Sequence, residues 1–165
     1  MLLLEQEMVN LISNTVDKKY YVELQEWCFQ LASFKEEVLL SHAKNDIRLL
    51  DCVVKQEVDV ITFNELLKYI DGENLDLLNI DVEGYHFEII KTIDWTKYIP
   101  EVLIFENRHL NLQDFKSAIS LLKKQGYKCF LNDYDVLCLQ NVSKESMRKL
   151  KPHPFYYTSS IPYLN

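Results

Sequence analysis

The sequence predicts an α/β domain: a mostly parallel sheet with helical crossovers, closed by a C-terminal antiparallel hairpin. Three observations carry that expectation. Between residues 75 and 140, strand-like and helix-like patterns alternate and end in a hairpin signal, the order that parallel strands with right-handed crossovers require. Two short apolar runs, Leu75–Ile80 and Val102–Phe105, each end on acidic or amide residues, as buried strands do where a sheet opens to a ligand. The chain has 165 residues, 48% of them hydrophobic and 26% charged, which is enough for one full core and too ordinary for disorder, a coiled coil or a fibrous repeat.

Each element follows from local signals. Leu4, Met8, Leu11 and Ile12 share a helical face, so a helix is expected over residues 4–15. Tyr20 to Phe34 is rich in aromatics and gives no clear period. Val53 to Ile61 reads as a strand from its β-branched residues. Thr62 with Glu65 forms a capping box for a helix whose Phe63, Leu66, Leu67 and Ile70 face inward, with Gly72 at its end. After the strand ending at Asp81, Val82, His86, Ile89, Ile90 and Ile93 line one face of a helix that Glu83 begins. Pro100 precedes the strand that ends at Glu106 and Asn107. Asn111 caps a helix with Phe115, Ala118, Ile119 and Leu122 inward, Lys123 and Lys124 in its last turn, and Gly126 beyond it. Tyr127–Leu131 and Val136–Gln140 flank Asn132–Asp135 as a hairpin. A short basic helix follows Ser143, and the prolines at 152 and 154 lead a tail that lies over the body or meets a partner. The organisation expected is an N-terminal helical or irregular segment (1–30), a core domain (31–142) and a tail (143–165).

Composition excludes several functions. Eighteen basic against twenty-five acidic residues give a net charge of −7, which argues against a nucleic-acid groove. No apolar run is long enough to span a membrane. Only three glycines occur, Gly72, Gly84 and Gly126, so neither a phosphate loop nor a dinucleotide fingerprint can exist. The N-terminal apolar stretch lacks a basic start and ends at Glu5, unlike a secretory signal. Cys28, Cys52, Cys129 and Cys138 show no metal-binding spacing, so buried thiols and a cytoplasmic, reducing location are expected.

The chemistry, if any, belongs at the carboxyl ends of the two strands. If they are neighbours, about 4.8 Å apart, Asp81, Glu106 and Asn107 converge, with Glu83 and His109 close by in sequence. Two carboxylates and an amide oxygen are hard donors that suit Mg²⁺, or that hold and deprotonate a hydroxyl. Plainer readings exist for each residue. Asp81 also suits a helix cap, Glu83 a helix first turn, Glu106 a structural salt bridge and Asn107 a turn. His86, in an apolar stripe, reads as packed rather than catalytic, and His42 and His153 have no neighbours that suggest a role.

Leu77-Leu-Asn-Ile-Asp-Val-Glu-Gly-Tyr85 resembles the signature of the FkbM family of S-adenosylmethionine-dependent methyltransferases, a strand ending in Ile-Asp-Val-Glu-Gly before a helix. Val60–Leu67, Pro100–Glu106 and Leu122–Lys128 resemble the flanking segments in the right order, and Ala32–Leu39 resembles a stretch of some members. The likeness runs from about Leu31 to Leu139. It implies a class I, Rossmann-like methyltransferase sheet and methyl transfer from S-adenosylmethionine to a hydroxyl of a sugar or similar metabolite. Asp81 and Glu83 match the signature acids as catalytic residues, and Glu106 matches the acid of the next strand. Glu106, Asn107 and His109 would then shape the acceptor side. A related group of O-methyltransferases sets a metal on acids at these strand ends, which makes Asp81, Glu106 and Asn107 the metal candidates by analogy of architecture.

Two departures qualify the likeness. No glycine precedes Gly72, so the family's glycine-rich cofactor turn has no counterpart, and the position of His86 is usually acidic. The resemblance therefore implies the C-terminal portion of a methyltransferase, truncated after the cofactor loop, with its activity alone left open. Its first strand edge would be covered by residues 1–30, by a second copy or by a partner chain. The rival expectations are a non-catalytic interaction module derived from such an enzyme, and a Mg²⁺-dependent hydrolase using Asp81, Glu83 and Glu106.

Overall fold

The computed structural model describes residues 9–17, 24, 26–69, 75–143, 145 and 156–157. The chain divides into two compact units, residues 1–70 with 82–85 and residues 71–81 with 86–165.

In the first unit, β1 (Val9–Val16) is the centre of a three-stranded sheet in the order β2-β1-β3, with β2 at Ala32–Ser33 and β3 at Val53–Val60. Both pairings are antiparallel, and β1 and β3 match over eight positions from Val9↔Val60 to Val16↔Val53. The helix expected over residues 4–15 is therefore a strand wherever it is described, and residues 4–8 lie outside the described residues. The apolar spacing there mimics a helical face, but Val9, Ile12, Thr15 and Val16 are β-branched and a full-length partner strand satisfies the backbone. The irregular stretch before β2 contains a short 3-10 helix at Glu26–Gln30. Helices α1 (Glu36–Ser41) and α2 (Leu49–Cys52) follow β2, with a 3-10 turn at His42–Lys44 between them. Cys28, Leu31, Leu39, Leu49 and Cys52 form the core of this unit with Val16 and Leu24. Helix α3 (Phe63–Leu66) starts with the expected capping box: Thr62 Oγ1 accepts the Glu65 N–H at 3.2 Å, and Glu65 accepts the Thr62 N–H at 2.8 Å. Gly72, the expected stop, lies outside the described residues.

The second unit holds β4 (Leu77–Ile80), α4 (His86–Thr92), β5 (Val102–Glu106), α5 (Leu112–Lys124), β6 (Lys128–Asn132), β7 (Asp135–Leu139) and β8 (Tyr156–Tyr157). Its sheet order is β4-β5-β7-β6-β8. The fold is mixed α/β, but the expectation of mostly parallel strands is corrected. Among the described residues only β4 and β5 run parallel, and the other pairings are antiparallel. Strand β3 pairs with β1 and belongs to the three-stranded sheet. Strand β4 also differs from the buried strand expected: it is an edge of this sheet, and Leu77 is 54% exposed.

The remaining elements match their signals. Asn111 Oδ1 accepts the Asp114 N–H at 2.8 Å to cap α5, whose Phe115, Ala118, Ile119 and Leu122 are buried. Gly126 takes φ +90, and a Cβ there would come within 3.3 Å of Gln140 Oε1, so both conformation and space call for glycine. The β6–β7 hairpin turns through Asp133 and Tyr134, with Asp133 at φ +48. Cys129 and Cys138 oppose one another across it as buried free thiols. Burial, and then the neighbouring Cys129, push the Cys138 thiol well above the usual range, which makes it inert. Of the tail, β8 pairs with β6 at Phe130↔Tyr157 and Leu131↔Tyr156, so that segment does lie on the body. The basic helix expected after Ser143 lies outside the described residues apart from Glu145. No helix among the described residues is long and apolar enough to cross a membrane.

Candidate functional site

The pairing of β4 with β5 settles the central geometric expectation. The strands are parallel and in register from Leu77↔Val102 to Ile80↔Phe105. Asp81, just past β4, and Glu106, the last residue of β5, therefore stand at the same carboxyl end of the sheet, one strand spacing apart. Ile80 and Phe105 are buried just beneath, which fixes this register, since a one-residue slip would turn both apolar side chains outward.

Helix α4 adds a third group. His86 opens that helix and Ile90, one turn on, shares its inward face; both are fully buried. One donor atom from each of Asp81, His86 and Glu106 lies within 4.8 Å of the others. Asp81 is exposed and Glu106 half-buried, so the trio opens to solvent on the carboxylate side. On its other flank, β7 sets Asp135 directly opposite Glu106. Three carboxylates thus follow one another across three strands, and like charges in such positions repel.

Asn107 is used through its backbone: its N–H donates to the Tyr134 carbonyl at 2.6 Å and its carbonyl accepts the Leu110 N–H at 3.0 Å. That is the turn role, and it anchors the loop leaving β5. His109 lies half-buried in the same turn. Arg108 braces it, with its guanidinium 5.2 Å from the centre of the Tyr134 ring.

The rest of the signature belongs to the first unit. Residues 82–85 form a turn closed by the Tyr85 N–H donating to the Val82 carbonyl at 3.1 Å. Glu83 takes φ +42 and Gly84 φ +89, so Glu83 does not begin a helix as expected. A left-handed backbone cannot continue into α4, which starts only at His86. This conformation is held from its own unit. Ser33 Oγ donates to the Glu83 carbonyl at 2.7 Å while accepting the Lys35 N–H at 3.0 Å. The Glu83 carboxylate lies 3.7 Å from His42 Nε2, and the Trp27 ring packs 5.9 Å from the imidazole. Phe34 meets Tyr85 edge-on at 5.0 Å. His42, judged to lack significant neighbours, is thus a buried partner of a signature acid.

Sequence reading missed His42 and gave His86 the packed role alone. His86 is packed, and it also meets the two carboxylates. Its position was the available signal: it is the first inward-facing residue of the helix after the strand end. Nothing local marks His42, because its contact spans a separation that only the fold closes.

No curated protein and no solved structure matches this chain. A family model, the methyltransferase FkbM domain, matches residues 4–129, taking in β1 as well as the signature. That span covers well over half of the chain and contains Asp81, Glu83, His86 and Glu106. The chain belongs to the FkbM methyltransferase family.

Proposed function

We propose that this chain takes part in methyl transfer from S-adenosylmethionine to a hydroxyl oxygen of a small metabolite such as a sugar. Family membership supports the reaction class. The observation that carries the site is the in-register pair β4–β5, which sets Asp81 beside Glu106 at the sheet end where open α/β folds gather ligands. An exposed and a half-buried carboxylate fit a cofactor that is cationic at its sulfonium and ammonium groups and carries ribose hydroxyls. Bound there, the cofactor supplies an electrophilic methyl carbon, released as its carbon–sulfur bond breaks.

In this reading Asp81 accepts the hydrogen bond of the acceptor hydroxyl and takes its proton as the new carbon–oxygen bond forms. Glu106 orients the same hydroxyl, with Asn107 and His109 on the acceptor side. Glu83 is assigned as the second signature acid by family likeness alone. A cytoplasmic setting fits four free cysteines. Calorimetry with S-adenosylmethionine tests the reading: saturable heat, with methyl transfer lost in Asp81→Asn, is expected. No binding at millimolar ligand contradicts a self-sufficient enzyme.

One observation favours a second reading, a non-catalytic module that pairs with a copy or partner. Strand β4 is a sheet edge among the described residues and exposes Leu77. Light scattering that finds only monomer would dispose of it.

A further inference from the structure

We propose that Asp81, His86 and Glu106 form a divalent-cation site that prefers an imidazole-accepting metal, Mn²⁺, Co²⁺ or Zn²⁺, over Mg²⁺. Three observations on three different elements meet here. The strand register brings two carboxylates together, α4 adds a fully buried imidazole, and the donor atoms already lie within 4.8 Å of one another. Neighbouring donors around one ion, each about 2.1 Å from it, are about 3.0–3.4 Å apart, so closing the trio on an ion requires a side-chain rotation of about 1–2 Å. The exposed Asp81 side chain can supply that movement.

Charge points the same way. Asp135 opposite Glu106 adds a third carboxylate to the row, and a cation relieves the repulsion that this arrangement carries. The donor set decides the metal. Two carboxylates alone suit Mg²⁺, whereas an added imidazole favours the later first-row ions. Three protein donors leave coordination positions for water or a substrate oxygen, on the side where Asp81 meets solvent. Where sequence suggested Asn107 as the third donor, the fold supplies His86.

The inference does not depend on methyl transfer, since the metal alone is the probe. The full chain, stripped with a chelator, is titrated with Mn²⁺, Zn²⁺ and Mg²⁺ by calorimetry and with Co²⁺ by visible absorption. One saturable site is expected, with the Asp81→Asn affinity reduced at least about tenfold. His86→Gln should lose the preference of Zn²⁺ and Co²⁺ over Mg²⁺. Because that variant alters a fully buried position, Asp81→Asn at an exposed one decides the matter if it does not fold. Absence of saturable binding at millimolar metal, or equal affinity in wild type and Asp81→Asn, overturns the proposal. So does an unaltered His86 ring signal in NMR at saturating Zn²⁺. Metal binding without S-adenosylmethionine binding would uphold this site and sink the methyl-transfer reading; the reverse result would do the opposite.

Discussion

Asp81 and Glu83 stand two residues apart in the signature, yet each is positioned by different physics. Asp81 follows a strand whose register with β5 is fixed by buried Ile80 and Phe105, and its backbone needs no unusual conformation. Glu83 sits at φ +42, a conformation that costs a non-glycine residue about 1–2 kcal/mol, and it is held there by Ser33 and His42. One carboxylate is placed by core packing, the other by a hydrogen bond to its backbone carbonyl and a histidine beside its side chain. Strain of this kind at a signature residue is what a functional constraint produces, because stability alone would select glycine or asparagine there.

The contrast can be broken most severely at its packed side. Phe105→Ala empties a fully buried position in β5 and should cost about 3–5 kcal/mol in chemical denaturation, with loss of the Asp81–Glu106 alignment. On the strained side, Ser33→Ala removes the donor to the Glu83 carbonyl and should cost about 1–3 kcal/mol. A loss within about 0.3 kcal/mol of zero would show that the turn holds itself. Glu83→Gly should act in the other direction, raising stability by about 0.5–1 kcal/mol through relief of the left-handed backbone. Destabilisation instead would mean that the His42 contact outweighs the strain.

The cap on α3 gives a scale for these changes. Thr62→Ala should cost about 1 kcal/mol near neutral pH. The Thr62 N–H, and then its hydroxyl, hold the Glu65 carboxyl below the usual carboxylate range. A depressed folded value means that the stabilisation is present above the unfolded pKa of about 4.3 and is lost as pH falls through the folded one. The stability gap between wild type and Glu65→Ala should therefore close on acidification below about pH 4. A gap that widens there would contradict the capping role.

Legibility followed the range of the interactions. The capping box at Thr62, the Asn111 cap, the inward stripe of α5, the hairpin and the strand ends at Asp81 and Glu106 are written in residues a few positions apart, and the structure matches them. What failed depends on distant pairing. Nothing near Val9 announces that it pairs with Val60, so the apolar spacing of β1 reads as a helix. The turn at 82–85 was read as helix because Glu83 has good local helix chemistry, while its actual conformation is imposed by Ser33 and His42. His86 was visible as an inward residue, but its approach to two acids depends on the helix starting only at His86.

The account stands on those two strand ends being side by side, and a cross-link reads that directly. In a chain carrying Asp81→Cys and Glu106→Cys, neighbouring parallel strands bring the two sites within the span of a disulfide. Mild oxidation of the native protein, followed by peptide mass spectrometry, should link positions 81 and 106 in high yield, while a control with Asp81→Cys and Asp94→Cys stays unlinked. Failure of the first pair to link under conditions where the folded protein is intact would show that the carboxyl groups do not share one end of the sheet.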